Sequence, residues 1–283
     1  MKYRISVIIP TFNRSSFLKR ALVSVINQSI SPNEIIVVDN GSTDNTKSML
    51  KENFTNIKYI FYPDKGVSKA RNIGIKNSNY DWLCFLDSDD EWHLQKLEKQ
   101  IKYLKFNSEI KFLHTDESWF RNGVYLNQLK KHEKSGGNIF ENSLKLCCVS
   151  PSSTMINKDI FRSYGLFDET FTVCEDYELW LRITAKEQVG FLKEALVIKH
   201  GGHKDQLSKK YWGMDRFRVF AIEKNIMGNN FTLNQKTIAI EELLKKLIVI
   251  LNGAKKRNNN DTYNKFKLKY DFWKNYHMNN NNS

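Results

Sequence analysis

Cysteine is scarce in this chain: Cys84, Cys147, Cys148 and Cys174 are all there is among 283 residues. No two form a C-x-x-C pair and no histidine stands at zinc-like spacing, which argues against a zinc finger or a disulfide-built scaffold. Adjacent Cys147 and Cys148 suit a structural disulfide poorly, so reduced thiols in a cytoplasmic protein are the simplest reading. Also missing is any run near the ~20 apolar residues needed to span a bilayer. The first apolar stretch, around Val7-Ile8-Ile9, stops at Pro10 and polar Thr11 to Arg14, too early for a signal-peptide core. No internal repeat and no aromatic RNA-binding motif is present. These absences predict a cytoplasmic protein, soluble or attached peripherally at the inner face of the membrane, with no nucleic-acid partner.

What is there suffices for a core: hydrophobic residues make up 41% and aromatics 13%. The formal charge of +13 is unevenly spread. Residues 1–200 carry 28 basic and 24 acidic side chains, whereas 201–283 carry 16 and 7. A basic tail on a near-neutral body suits nucleic acid, an anionic membrane surface or an anionic substrate, and equally a solvated helical face.

Along the chain, apolar runs alternate with helical periodicity. Val7-Ile8-Ile9 precedes a helix carrying Phe17, Leu18, Ala21, Leu22, Val25 and Ile26, with Ser15 or Ser16 as its N-cap. Ile35 to Val38 leads to a helix over 43–51, and Ile57 to Phe61 to a short helix around Lys69 to Ile75. Trp82 to Leu86 precedes a helix marked by Leu94, Leu97, Ile101 and Leu104. Strands that are apolar throughout and alternate with amphipathic helices predict a mostly parallel sheet covered on both faces. Beyond Ile110 to Leu113 come a hairpin over 119–126 turning at Asn122-Gly123, a polar loop over 130–138, and strands near 153–156 and 195–199. A helix over 177–185 lies between those two strands. Helical stretches near 211–224, 238–251 and 263–276 form the tail, and the asparagine run over 279–283 predicts disorder.

Polar residues collect at the carboxyl ends of these strands, where such sheets bind ligands. Asp87, Asp89 and Asp90 follow a strand too apolar to lie anywhere but inside. Crowded carboxylates repel unless a cation or donor-rich ligand neutralises them, and hard oxygen ligands suit Mg²⁺ or Mn²⁺. An acidic helix N-terminus is the alternative. Asp39 offers an acceptor to a base carrying an N–H, while Lys69 and Arg71 put positive charge where phosphates could sit; for Arg71 a surface ion pair is the other reading. Glu175-Asp176 could cap the helix that follows, and His200 and His203 could be surface residues of a polar loop.

Five stretches resemble, in order, the family 2 glycosyltransferases, inverting enzymes of the GT-A fold: Val7 to Asn13, Val37 to Asp44, Gly66 to Asn72, Phe85 to Asp90, and Glu175 to Trp180. The resemblance covers roughly residues 4 to 200. It implies a Rossmann-like, mostly parallel central sheet flanked by helices, with a C-terminal helical extension. The domain would span 1–205, its nucleotide-binding half about 1–115 and its acceptor-binding half about 116–205. A basic helical extension over 206–278 and the tail over 279–283 would follow. It implies transfer from a nucleoside-diphosphate sugar, UDP-sugar first, to a glycan or lipid-linked acceptor with Mn²⁺ or Mg²⁺. Pro10, Thr11, Asn13, Asp39, Arg71, Asp87 and Ser88 would bind nucleotide, and Asp89, Asp87 and His200 the metal. Asp176 would be the catalytic base, with Glu175 beside it holding the acceptor. His203 competes with His200, and Gln206, Ser208 and Lys209 could join a covering loop. The remaining alternatives fit less well. A sugar-nucleotide pyrophosphorylase would want a glycine-rich loop where Pro10 to Arg14 stand, and a haloacid-dehalogenase-type phosphatase would carry its Asp pair after the first strand. A noncatalytic nucleotide- or polyanion-binding protein using the basic tail is the other class.

Overall fold

The computed structural model describes residues 3–202 and 211–281. A strand β1 (Ile5–Thr11), buried along its whole length, sits in the middle of the sheet. It pairs in parallel with β2 (Glu34–Asp39) on one side and β4 (Trp82–Phe85) on the other, and β3 (Lys58–Phe61) extends the β2 side. The order therefore reverses at β1, and such a reversal opens a crevice at the strands' carboxyl ends. Beyond β4 the sheet becomes mixed. β8 (Met155–Asn157) is antiparallel to β4 and to β6 (Phe112–Arg121), and β9 (Gly190–Gly201) runs parallel to β6. A two-residue strand β5 (Glu91–Trp92) caps the edge of β9. β7 (Val124–Leu126) forms the expected hairpin with β6, turning at Asn122 and Gly123, both at positive φ as a tight two-residue turn requires.

Helices cover both faces. α1 (Ser15–Ile26) buries Leu18, Ala21, Leu22 and Val25, one face of a 3.6-residue period. Its N-cap position is Arg14, which makes no side-chain cap bond; Ser15 is already inside the helix, its N–H donating to Asp44 Oδ2 at 3.1 Å. The predicted serine cap gives way because the loops after β1 and β2 are tied to each other. α2 (Thr46–Asn53) and α3 (Val67–Asn77) follow, then α4 (Lys96–Phe106), α5 (Phe140–Lys145) and α6 (Lys158–Tyr164). α7 (Glu175–Thr184) is buried on both sides. Leu179, Trp180 and Ile183 join the core beneath the sheet, while Tyr177 and Leu181 join a second core with the C-terminal helices.

Those helices are α8 (Asp215–Met227), α9 (Leu233–Lys256) and α10 (Asn260–Asn281). α9 opens with a capping box between Thr232 and Gln235. α10 continues through Asn281, past the start of the asparagine run at residue 279; residues 282 and 283 lie outside the described residues. No helix among the described residues is long and apolar enough to cross a membrane.

α3 lies close on β1 because position 74 has no side chain: a Cβ there would stand 2.3 Å from Ile8 Cγ2. Alanine is the better helix former by about 1 kcal/mol, but overpacking a core of this kind costs about 1–3 kcal/mol. Gly74→Ala should therefore lower the unfolding midpoint in denaturant, and an unchanged midpoint would show that α3 can shift. Lys96 is fully buried, its Nζ donating to Gln100 Oε1 at 2.9 Å above the Trp92 ring. Burial pushes its pKa down from 10.5 to about 8. The unfolded chain thus holds the proton more tightly, so Lys96 weakens the fold below about pH 8 and that penalty fades as pH rises toward 10.5. The stability difference between Lys96→Met and wild type, read by denaturation, should shift by up to about 3 kcal/mol in favour of wild type across that window. A difference independent of pH would contradict the assignment.

Candidate functional site

The carboxyl ends of β1, β2 and β4 bring together Thr11, Asp39 and Asp87. Thr11 and Asp39 are opposite one another in register and both are buried. Thr11 Oγ1 is enclosed without a hydrogen-bond partner, as is Asn40 Oδ1. Asp39 accepts from the Ser42 N–H at 2.8 Å through Oδ1 and from the Tyr59 hydroxyl at 2.8 Å through Oδ2. A carboxylate has about four acceptor positions, so Asp39 keeps acceptor capacity beyond these two bonds. Pro10 is buried within β1 opposite Val38, and Ser88 is buried just after β4. Asn13 ties the loops together: in a left-handed conformation, its Oδ1 accepts from the Thr43 N–H at 2.7 Å while its own N–H donates to Ser42 Oγ at 2.8 Å.

Arg71 joins the two halves. From the buried face of α3 it donates through Nη2 to Asp87 Oδ1 at 2.7 Å and through Nη1 to Glu175 Oε1 at 2.6 Å, its guanidinium 5.2 Å from the centre of the Phe167 ring. It is no surface ion pair. Burial works against its charge, but Asp87 and Glu175 outweigh that and hold the guanidinium above its ordinary range. Asn72, next along α3, fixes the loop leading to α7 by donating to the Phe167 carbonyl at 2.8 Å and accepting from the Phe167 N–H at 3.0 Å.

Glu175 and Asp176 occupy the first turn of α7. Neither is its N-cap; that position is Cys174, in a left-handed conformation without a side-chain cap bond. Burial, reinforced by the charge of Asp176, pushes Glu175 up to about 7 against the pull of Arg71. Asp176 is held at both oxygens: Oδ1 accepts from the Tyr177 N–H at 2.7 Å, and Oδ2 from the Cys147 thiol at 3.3 Å. Burial, then Asp176, raises the Cys147 pKa well above the usual thiol range, so the thiol stays a donor.

The aspartates after β4 face different partners. Burial raises Asp87, but Arg71, Lys199 and Arg14 outweigh it and hold the carboxyl below its ordinary range. Asp89 Oδ2 accepts from Arg14 Nη1 at 2.7 Å, and the Asp89 carbonyl from Arg20 at 2.8 Å. Asp90 is buried; burial first, then Asp89 and Asp87, push its carboxyl up, and Ser152 Oγ donates to it at 2.6 Å. Lys199 on β9 lies 3.8 Å from Asp90. Burial opposes its charge, but Asp90, Glu117, Asp87 and Asp89 keep it protonated beyond the normal lysine range. His200 is turned to Glu91, Nε2 to Oε1 at 2.6 Å, and stacks on Phe120. His203, Gln206, Ser208 and Lys209 lie outside the described residues.

Of the residues expected to hold a divalent cation, Asp87 is met by Arg71, Asp89 by Arg14 and His200 by Glu91. Among the described residues no three His, Cys, Asp or Glu side chains converge on one point. Two carboxylates nevertheless fit Mg²⁺ or Mn²⁺, which commonly take one or two from the protein and the rest from substrate phosphates and water. Arg14, Cys147, Ser152 and Lys199 were not singled out by sequence reasoning. Lys199 sits beside the noted His200, whereas Ser152 and Cys147 carry no local signal and reach the site only through the packing of β8 and α7.

The model of the family "Glycosyl transferase family 2" matches residues 6–165. An uncharacterized glycosyltransferase of Rickettsia bellii is 33% identical over 196 residues, covering 68% of this chain and 28% of that protein. The chain spans about a third of the length of three Rickettsia relatives that are 32–33% identical to it. A "UDP-Glc:alpha-D-GlcNAc-diphosphoundecaprenol beta-1,3-glucosyltransferase", WfgD of Escherichia coli, is 25% identical over 229 residues, 80% of this chain and 86% of that one. Among solved structures, S. aureus TarS 1-349 in complex with UDP-GlcNAc superposes with a TM-score of 0.63 at 18% identity, covering 94% of this chain and 91% of that one. That likeness gives the fold, of GT-A type with a helical C-terminal part. With that match spanning more than half of its residues, the chain belongs to glycosyl transferase family 2.

Proposed function

We propose that this chain transfers a sugar from a nucleoside-diphosphate sugar, a UDP-sugar in the first instance, to a hydroxyl of a glycan or lipid-linked acceptor, inverting the anomeric carbon. The observation that carries the reading is the Arg71 bridge. It ties Asp87, on the side where a diphosphate would lie, to Glu175, next to the carboxylate that would take a proton. The printed descriptions of similar proteins point the same way: one carries UDP-Glc and a diphosphoundecaprenol-linked GlcNAc in its name, and another was crystallised with UDP and with UDP-GlcNAc.

In this reading Asp39 accepts from the base N–H and the Thr11 hydroxyl gains the partner it lacks. Asp87 and Asp89 would hold Mn²⁺ or Mg²⁺, which would supply positive charge to offset that developing on the departing nucleoside diphosphate. Arg71 keeps Asp87 ionised and in place. Asp176 takes the proton from the acceptor hydroxyl as the new C1–O bond forms and the bond from C1 to the phosphate oxygen breaks. One displacement inverts the configuration. The two donors on Asp176 fix the direction in which its remaining lone pairs point.

A panel of nucleotide sugars with Mn²⁺, scored for transfer and for hydrolysis, tests the activity. Asp176→Asn should lower kcat by about 100- to 10,000-fold while UDP affinity measured by calorimetry stays the same. Asp89→Ala should abolish the Mn²⁺-dependent part of UDP affinity. If no nucleotide sugar is consumed, or both variants behave as wild type, the proposal is wrong. The Cys147 contact adds a finer expectation, since a hydrogen bond to a charged group is worth about tenfold or more. Cys147→Val should lower kcat by roughly that factor with the donor KM unchanged, and Cys147→Ser, which restores a donor, should recover it. Equal loss in both variants would reduce Cys147 to a packing residue.

A further inference from the structure

The C-terminal helix carries an exposed apolar stripe that the glycosyl-transfer site does not use. α10 is fixed to the molecule by Phe266 and Trp273, both buried in the second core. Trp273 Nε1 donates to Glu223 Oε1 of α8 at 2.8 Å, and Lys269 Nζ to Glu223 Oε2 at 2.6 Å. Leu268, Phe272 and Tyr276 follow one another at four-residue spacing, which lines them up along one side of the helix. Their exposures are 74%, 55% and 40%. The rings of Phe272 and Tyr276 stack with centroids 6.4 Å apart. Phe220 of α8 is also partly exposed and lies beneath the ammonium groups of Lys269 and Lys265, 4.9 and 5.9 Å from its centre.

A helix packed by one face on a protein core ordinarily turns polar residues outward. This one offers leucine and aromatic rings on a rigid support with lysines at their margin, and contiguous apolar surface of this kind marks an interaction site. Charge decides what covers it. Residues 201–283 hold 16 basic and 7 acidic side chains, so two copies meeting face to face would bring like charges together, whereas an anionic surface would be attracted. Aromatic and leucine side chains with flanking lysines are what a helix lying in the headgroup layer presents.

We propose that the α10 stripe, Leu268, Phe272 and Tyr276 with Lys265 and Lys269 beside it over Phe220, docks the protein on the surface of an anionic lipid bilayer. The contact is peripheral: the rings enter the headgroup layer and the lysines meet lipid phosphates. This orientation is independent of which sugar is transferred.

Co-sedimentation of the full chain with vesicles made of equal parts phosphatidylcholine and phosphatidylglycerol tests it, with phosphatidylcholine vesicles as reference. Wild type should pellet with the anionic vesicles and be released by high salt. The Leu268→Ser, Phe272→Ser, Tyr276→Ser triple variant should bind about tenfold more weakly. A second variant, Lys265→Glu, should weaken the preference for phosphatidylglycerol while circular dichroism and thermal unfolding stay as in wild type. Wild type remaining in the supernatant overturns the proposal, and so does equal pelleting of wild type and both variants. A concentration-dependent dimer in ultracentrifugation that the serine variant abolishes, without vesicle binding, would assign the stripe to a second copy instead.

Discussion

The site depends on one buried cation. Arg71 donates at once to Asp87 and Glu175, which belong to segments 88 positions apart in the chain. Removing one partner of a buried pair leaves the other charge uncompensated, so the three groups can exist there only together. The bridge sets the spacing between the end of β4 and the start of α7, and with it the separation of the two carboxylate groups around which glycosyl transfer would occur. Asn72 on the same helix fixes the intervening loop from the other side. α3 can supply both residues at that depth because Gly74 lets it approach β1.

α7 is the second constraint. It carries Glu175 and Asp176 at its first turn and is packed on both sides, against the sheet core through Trp180 and against the C-terminal helices through Tyr177 and Leu181. Trp180 Nε1 donates to the Val149 carbonyl at 3.0 Å, and Tyr177 Oη to the Leu144 carbonyl at 2.6 Å. Glu178, fully buried, is met by Arg182 of its own helix and by Asn225 of α8. The C-terminal helices are thus part of what holds the candidate base in position, and their outer face is left for a second task.

Much of the fold was legible in sequence because β1 and β4 are buried along their whole length and so read as unbroken apolar runs. The hairpin at Asn122-Gly123 was legible for a comparable reason, since its backbone needs positive φ and those two residues tolerate it. β5 and α6 were not: two residues cannot show a period, and the seven of α6 scarcely two turns. The serine cap of α1 was misread because it depends on a contact between loops, Ser15 with Asp44, that is distant in sequence.

The site divides the same way. The sequence by itself determined that carboxylates, a threonine and an arginine would gather at the strand ends, since chemistry of that kind follows from the order of the strands and the polar loops after them. Only the tertiary structure decided which pairs form. Arg71 engages Asp87 and Glu175, Asp89 is met by Arg14, His200 is turned to Glu91, Asn13 braces a loop, and Lys199 and Cys147 enter from β9 and the segment before β8. Each of these is a contact between residues far apart in the chain, and its direction and strength depend on distances and burial that no local pattern of residues encodes.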